Sequence, residues 1–170
     1  MIERLSPKGK TLLEEKRRRL GEQLKEKILD YGSVVGSAGG DSYHDEQAYS
    51  VYAEAVTLQA NLDRINRFFN CEELKPPNQC ERIEVGHQVK VEFSDDPEPR
   101  EEISVTILPE GDVLVLNEFY DQRTKFLVSD KSPIGRALLG KRVGEEARYE
   151  TVEGDFGVIV KGISLADVFG

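Results

Sequence analysis

The chain has no tryptophan, one methionine and two cysteines, and no Lys or Arg lies between Lys27 and Arg64 although 23 occur overall. No apolar run approaches the roughly 18 residues of a membrane span. Met1-Ile2-Glu3-Arg4 lacks the apolar core of a secretion signal, so no membrane partner is expected and the cytoplasm is the expected compartment. Cys71 and Cys80 are spaced C-x8-C in a polar linker, and no His is expected to join them. A zinc site needs about four N or S ligands, and a disulfide is disfavoured in a reducing compartment, so two ordinary thiols are expected.

What is present is charge. Charged residues make up 32% of the chain and hydrophobic ones 38%, which describes a modest core with much solvated surface. The net charge of −9 is uneven: residues 1–75 carry −1 and residues 76–170 carry −8. An acidic second half does not attract a nucleic acid backbone and suits a basic protein surface or simple solubility. Within the cation-free interval lie Asp30, Asp41, Asp45, Glu46, Glu54 and Asp63, and its middle is the turn-forming run Gly36-Ser37-Ala38-Gly39-Gly40. No Gly-Lys-Ser/Thr follows, so this run is not a phosphate loop.

Both flanks of the turn read as helices. Ser6 can cap the first and Pro7 fits its first position, where a missing N–H costs nothing. Leu13, Leu20, Leu24, Ile28 and Tyr31 then form an apolar stripe up to Gly32, a helix of about 25 residues and about 37 Å that Gly9 and Gly21 weaken. In the second helix Ala48, Val51, Ala55, Leu58, Leu62, Ile65 and Phe69 alternate steps of three and four, an unbroken heptad seam. Asn70 is the expected stop, and Lys75-Pro76-Pro77-Asn78 the linker. Two such stripes joined by a glycine-rich turn predict an antiparallel coiled-coil hairpin over residues 1–75, with its tip near 36–46.

From Ile83 the period becomes two. Strands are expected around Val85–Phe93 and at Ile103–Leu108, Val113–Leu116, Lys125–Val128, Ala147–Thr151 and Phe156–Ile163. A short helix is expected between the fourth and fifth, in Ser132-Pro133-Ile134-Gly135-Arg136-Ala137-Leu138-Leu139-Gly140, with Pro at its first position and Gly past its end. Residues 76–170 thus make a small α+β domain.

The segment from Ser132 to Glu146 closely resembles the signature of the bacterial Gre transcription elongation factors, the GreA/GreB family. That signature is Ser-Pro-Ile/Leu-Gly/Ala-Arg-Ala-Leu-Ile/Leu-Gly-Lys followed by Val-Gly-Asp/Glu. Leu5-Ser6-Pro7-Lys8-Gly9 followed by Leu12 and Leu13 is similar to the family's start. The resemblance implies a coiled-coil hairpin followed by an FKBP-like antiparallel β domain with one short helix. It implies docking on bacterial RNA polymerase by the second domain, at the rim of the secondary channel. The hairpin would pass down that channel, so that its acidic tip meets the catalytic Mg²⁺ of the polymerase and the polymerase cuts its own backtracked RNA. The chain would need no cofactor of its own, would touch the RNA 3′ end only indirectly, would act as a monomer and would not be a free-standing enzyme.

Carried over residue by residue, the tip acids are Asp41, Asp45 and Glu46, with Asp41 and Asp45 as the ligands shared with the polymerase metal. Two-metal phosphodiester hydrolysis needs both ions held about 4 Å apart, and carboxylates brought from outside can complete a weak second site. Basic neighbours would compete for those carboxylates. The family's tip reads Gly-Asp-Leu-x-Glu-Asn-Ala-Glu-Tyr; here Gly40-Asp41 matches directly, and Tyr49 matches if one residue is inserted. One residue turns a helix by about 100°, so the two acids need not face the same way as in a cleavage factor. They also have an ordinary role: Asp41 or Ser42 can cap the second helix, and Asp45 and Glu46 suit its positive end.

For docking, the resemblance and the local chemistry select Asp130, Ser132, Pro133 and Ile134: a charge for a basic rim, a cap, a rigid corner and an apolar anchor. The run Lys16-Arg17-Arg18-Arg19 matches in position a patch proposed to lie near RNA, although Glu14, Glu15 and Glu22 can pair with it as on any solvated face. His44 is expected to be a solvent-exposed imidazole and not a ligand. Three functions are compatible with this reading: a cleavage-stimulating factor, a channel-binding inhibitor without cleavage, and an FKBP-like prolyl isomerase or peptide binder. The absence of Trp from an isomerase-type pocket argues against the third.

Overall fold

The computed structural model describes residues 4–37, 42–118 and 125–169, with backbone alone at residues 37 and 42–45. The chain forms two compact units: a helical one from Thr11 to Asn70, and a second that joins the N-terminal segment through Lys10 to everything from Cys71 onward.

Helix α1 (Pro7–Ser37) has 31 residues, about 46 Å at 1.5 Å each. It runs through Gly32, where the sequence suggested an end, because one glycine costs a helix only about 1 kcal/mol and no proline stops it. Helix α2 (Ser42–Asn66) returns antiparallel. The pairings fix the direction: Arg17 lies 4.1 Å over the Phe69 ring, Lys27 Nζ is 2.7 Å from Glu54, and the Tyr31 and Tyr52 rings are 6.0 Å apart.

The α2 seam holds from Ala48 to Ile65, each of its residues buried or half-buried. It fails at its last position. The helix ends at Asn66, the next residues turn, and Phe68 (8% exposed) takes the buried place expected of Phe69 (43%). On α1 the seam passes through Leu13, Leu20, Leu24, Lys27 and Tyr31, so Ile28 is left 57% exposed. The strict three–four alternation after Leu24 selects position 27, and the lysine stem fills it while its ammonium reaches Glu54.

In the second unit, β1 (Arg4–Leu5) pairs in parallel with β2 (Glu72–Glu73), and Leu74 N–H donates to the Leu5 carbonyl at 2.7 Å. The main sheet comprises β3 (His87–Phe93), β4 (Glu102–Leu108), β5 (Lys125–Ser129), β6 (Glu146–Thr151) and β7 (Gly154–Leu165), in the order β5-β4-β3-β7-β6. Its alternation is the one read from the sequence: Val89 and Val91 face inward while Lys90 faces out. Ile83, Val89, Val91, Val105, Ile107, Leu138, Ala147, Val158 and Val160 form the core, each buried aliphatic side chain contributing about 1.5–3 kcal/mol.

The α+β class stands, with two corrections. The sheet is mixed and not wholly antiparallel, since β4 and β5 pair in parallel. The expected strand Val113–Leu116 is instead part of helix α3 (Glu110–Leu116), so that among the described residues the domain has a second short α-helix besides the one after Ser132. A parallel neighbour requires a crossover connection, which a helix can supply. Pro109 precedes the helix, Glu110 and Asp112 sit in its first turn, and Val115 and Leu116 are fully buried.

Candidate functional site: the acidic hairpin end and the β5–α4 turn

At the far end of the hairpin, Asp41 lies outside the described residues. Asp45 and His44 are described only as backbone in the first turn of α2, and Glu46 follows as an exposed carboxylate. Helix α1 is described as far as Ser37 and α2 from Ser42 onward. Among the described residues no three or more His, Cys, Asp or Glu side chains are grouped to hold a metal ion.

The turn from β5 into helix α4 (Pro133–Leu138) is built around the Ser129 carbonyl. Ser132 caps the helix: its Oγ accepts from Gly135 N–H at 3.1 Å and donates to that carbonyl at 2.6 Å. Ser132 N–H donates to the same carbonyl at 2.9 Å. Gly135 passes so close that a Cβ there would collide with this oxygen, which explains the glycine of the motif. Asp130 is half-buried. Its N–H donates to the Leu108 carbonyl at 2.9 Å, and its carboxylate accepts from Ser129 Oγ at 3.2 Å. Pro133 is exposed at the helix start, whereas Ile134 packs against the sheet core. Of the four docking candidates, Asp130 and Pro133 border solvent, Ser132 shapes the turn and Ile134 serves the core. Sequence reasoning missed the neighbouring ion pair of Lys131 with Glu110 at 3.2 Å, because Glu110 belongs to the helix read as a strand.

The basic run is divided by the helix. Arg17 covers Phe69, Arg18 pairs with Glu22 at 2.9 Å, Lys16 is half-buried and Arg19 is exposed. Cys71 and Cys80 are not joined in a disulfide. The expectation of no neighbouring His fails: His87, seven residues after Cys80, brings its Nε2 to 3.9 Å from Cys80 Sγ. His87 is fully buried, burial lowers its pKa, and its Nδ1 accepts from Glu84 N–H at 2.9 Å, so it is neutral.

A second polar cluster escaped the sequence reading. Asp112 is fully buried, and its oxygens accept from Ser6 N–H at 2.8 Å and Ser6 Oγ at 2.7 Å. Ser6 Oγ also accepts from Gly9 N–H at 3.0 Å, so the expected cap of α1 is itself held by a carboxylate 106 residues away. Burial raises the Asp112 pKa to about 6, against the pull of the Ser6 hydrogen bonds. The only sequence signal was an acid within an apolar run.

Residues 78–165, which include the β5–α4 turn, match the family model "Transcription elongation factor, GreA/GreB, C-term". The chain is similar to the transcription inhibitor protein Gfh1 of Thermus thermophilus, with 30% identity over 142 residues, 84% of this chain and 81% of the relative. It is equally similar to the transcription elongation factor GreA of Caldanaerobacter subterraneus subsp. tengcongensis, with 30% identity over 139 residues, 82% and 77% of the two chains. The crystal structure of Thermus thermophilus Gfh1 aligns over 96% of this chain and 99% of that one, with 26% identity and a TM-score of 0.42. The chain belongs to the GreA/GreB family of transcription elongation factors.

Proposed function

We propose that the protein is a cytoplasmic accessory factor of bacterial RNA polymerase. It enters the secondary channel hairpin first and stimulates the polymerase's own cleavage of backtracked RNA through Asp41, Asp45 and Glu46. The observation that carries this reading is the antiparallel helical hairpin whose sequence has acids and no Lys or Arg between Lys27 and Arg64, in a chain of this family. Carboxylates held there can complete a two-metal site, which activates water and stabilises the leaving oxygen. The chain contributes ligands and position, and the reaction belongs to the polymerase. Asp130, Ser132 and Pro133 form the docking turn.

A second reading is that the protein occupies the channel and inhibits without cleavage. The additional residue between Asp41 and Tyr49 favours it, as does the similarity to a relative named as a transcription inhibitor. RNA length in a stalled, backtracked complex separates the two. Cleavage stimulation requires short RNA products with the native chain, and their loss in Asp41→Ala and Asp45→Ala variants that still bind. Binding and competition with a cleavage factor, without short products, selects the inhibitor.

A further inference from the structure

We propose that Cys80 is a modification site: an exposed thiol, backed by His87, that takes up low-molecular-weight disulfides as a reversible mixed disulfide. The two residues differ sharply in burial. Cys80 is exposed, while His87 is fully buried and presents its Nε2 to the Cys80 Sγ at 3.9 Å. The tautomer follows from the other ring nitrogen. Nδ1 accepts from Glu84 N–H at 2.9 Å, so in the neutral ring the hydrogen is on Nε2, the atom directed at the sulfur. A hydrogen bond from the ring to the Gln79 backbone requires the same tautomer. Desolvation keeps the ring neutral, which makes it a fixed donor and neither a cation nor a base.

The donor stands on the sheet. His87 opens β3 opposite Leu165 of β7, and its own N–H donates to the Glu84 carbonyl at 3.2 Å. Gly86 N–H donates to the Ile107 carbonyl at 2.8 Å, and the Gly86 carbonyl accepts from Ala166 N–H at 3.0 Å. Ile83 is tied to Lys141 and Gly140 by two backbone hydrogen bonds of 2.8 Å. The thiol lies three residues before Ile83, outside these anchors and open to solvent. Cys71 is half-buried, and the chain's other histidine, His44, belongs to α2.

Thiol–disulfide exchange begins with an anionic sulfur, and a donor held toward that sulfur steadies its charge. Cys80 Sγ gives up its proton to water and attacks one sulfur of R–S–S–R, and the Sγ–S bond forms as the old S–S bond breaks. The departing thiolate takes up a proton, so one thiol is released for each mixed disulfide formed. The small disulfide is itself the oxidant, and an excess of free thiol reverses the step. A compartment that disfavours permanent disulfides still admits transient ones of this kind.

The test is the rate at which the full chain takes up glutathione disulfide, read by mass spectrometry of the intact protein and its peptides, with thermal melting of each variant by circular dichroism. The native chain is expected to gain an adduct at Cys80 about fivefold or more faster, per thiol, than the free peptide Asn78-Gln79-Cys80-Glu81-Arg82, and dithiothreitol should remove it. Cys80→Ser should abolish this uptake and Cys71→Ser should leave it unchanged. His87→Asn keeps an acceptor for Glu84 N–H but withdraws the donor from the sulfur, and should slow uptake about fivefold or more. His87→Gln, whose amide nitrogen can take the place of Nε2, should restore most of the rate. If the His87 variants melt early, the native chain against the peptide decides. Uptake no faster than the peptide's, an adduct formed first on Cys71, or a native-like rate in folded His87→Asn overturns the proposal.

Discussion

At Gly9 a methyl group would overlap the Asp112 carboxylate, so a glycine that weakens an isolated helix is what lets Ser6 and Asp112 meet. Gly9→Ala is expected to cost about 2–3 kcal/mol, by displacing a buried hydrogen-bonded group, and a denaturant melt measures it. Gly135→Ala should cost a similar amount, since the obstacle is the Ser129 backbone carbonyl, which cannot rotate away. Asp112 also makes stability depend on pH. The folded protein holds its proton more tightly than the unfolded chain, so the contribution is complete below the ordinary value of 3.8 and is lost as pH rises to about 6. The loss amounts to about 3 kcal/mol at most. Denaturant melts at pH 4, 5, 6 and 7 should show stability falling over that window relative to Asp112→Asn. An equal pH slope in both proteins would refute the assignment.

At the scale of elements, the heptad in α2 was legible because its apolar residues recur without a break, and the hairpin followed from it. The α1 register was harder to read. Ile28 looked apolar enough for the seam, but the geometry after Leu24 gives the place to Lys27, and a long stem satisfies it. The glycines of α1 behave differently from Gly9. At Gly21 and Gly32 a Cβ would meet nothing within 4 Å, and both lie inside the helix. Gly21→Ala and Gly32→Ala should each stabilise the hairpin by about 1 kcal/mol and raise its melting temperature. A drop in melting temperature would show that the helix bends there in solution. The segment Val113–Leu116 misled because a short apolar run of branched residues fits a strand and a buried helix equally well. Only the parallel pairing of β4 with β5 decides between them.

For the whole molecule, charge and chemistry are divided between the units. The helical unit carries the tip acids, and the second carries most of the net negative charge and the family motif. On the polymerase reading these parts are separable. Asp130→Ala and Pro133→Ala should weaken polymerase binding several-fold while leaving the melt near native, since neither side chain belongs to the sheet core. Asp41→Ala should leave binding intact and change only the RNA products. A binding assay paired with an RNA-length assay reads both, and loss of binding by Asp41→Ala would place the main docking energy at the hairpin end.

The sequence by itself determined the helical hairpin, the alternating strands and the family, because these rest on period, capping and a contiguous motif. It also determined that the hairpin's far end is acidic and without cations, since charge needs no coordinates. The tertiary structure decided what depends on distant partners. It brought Asp112 to Ser6 and His87 to Cys80, turned a predicted strand into a crossover helix, gave Ile134 to the core and left Asp130 and Pro133 at the surface. The physical reason is that periodicity fixes which face of an element is apolar, while packing alone fixes what that face meets.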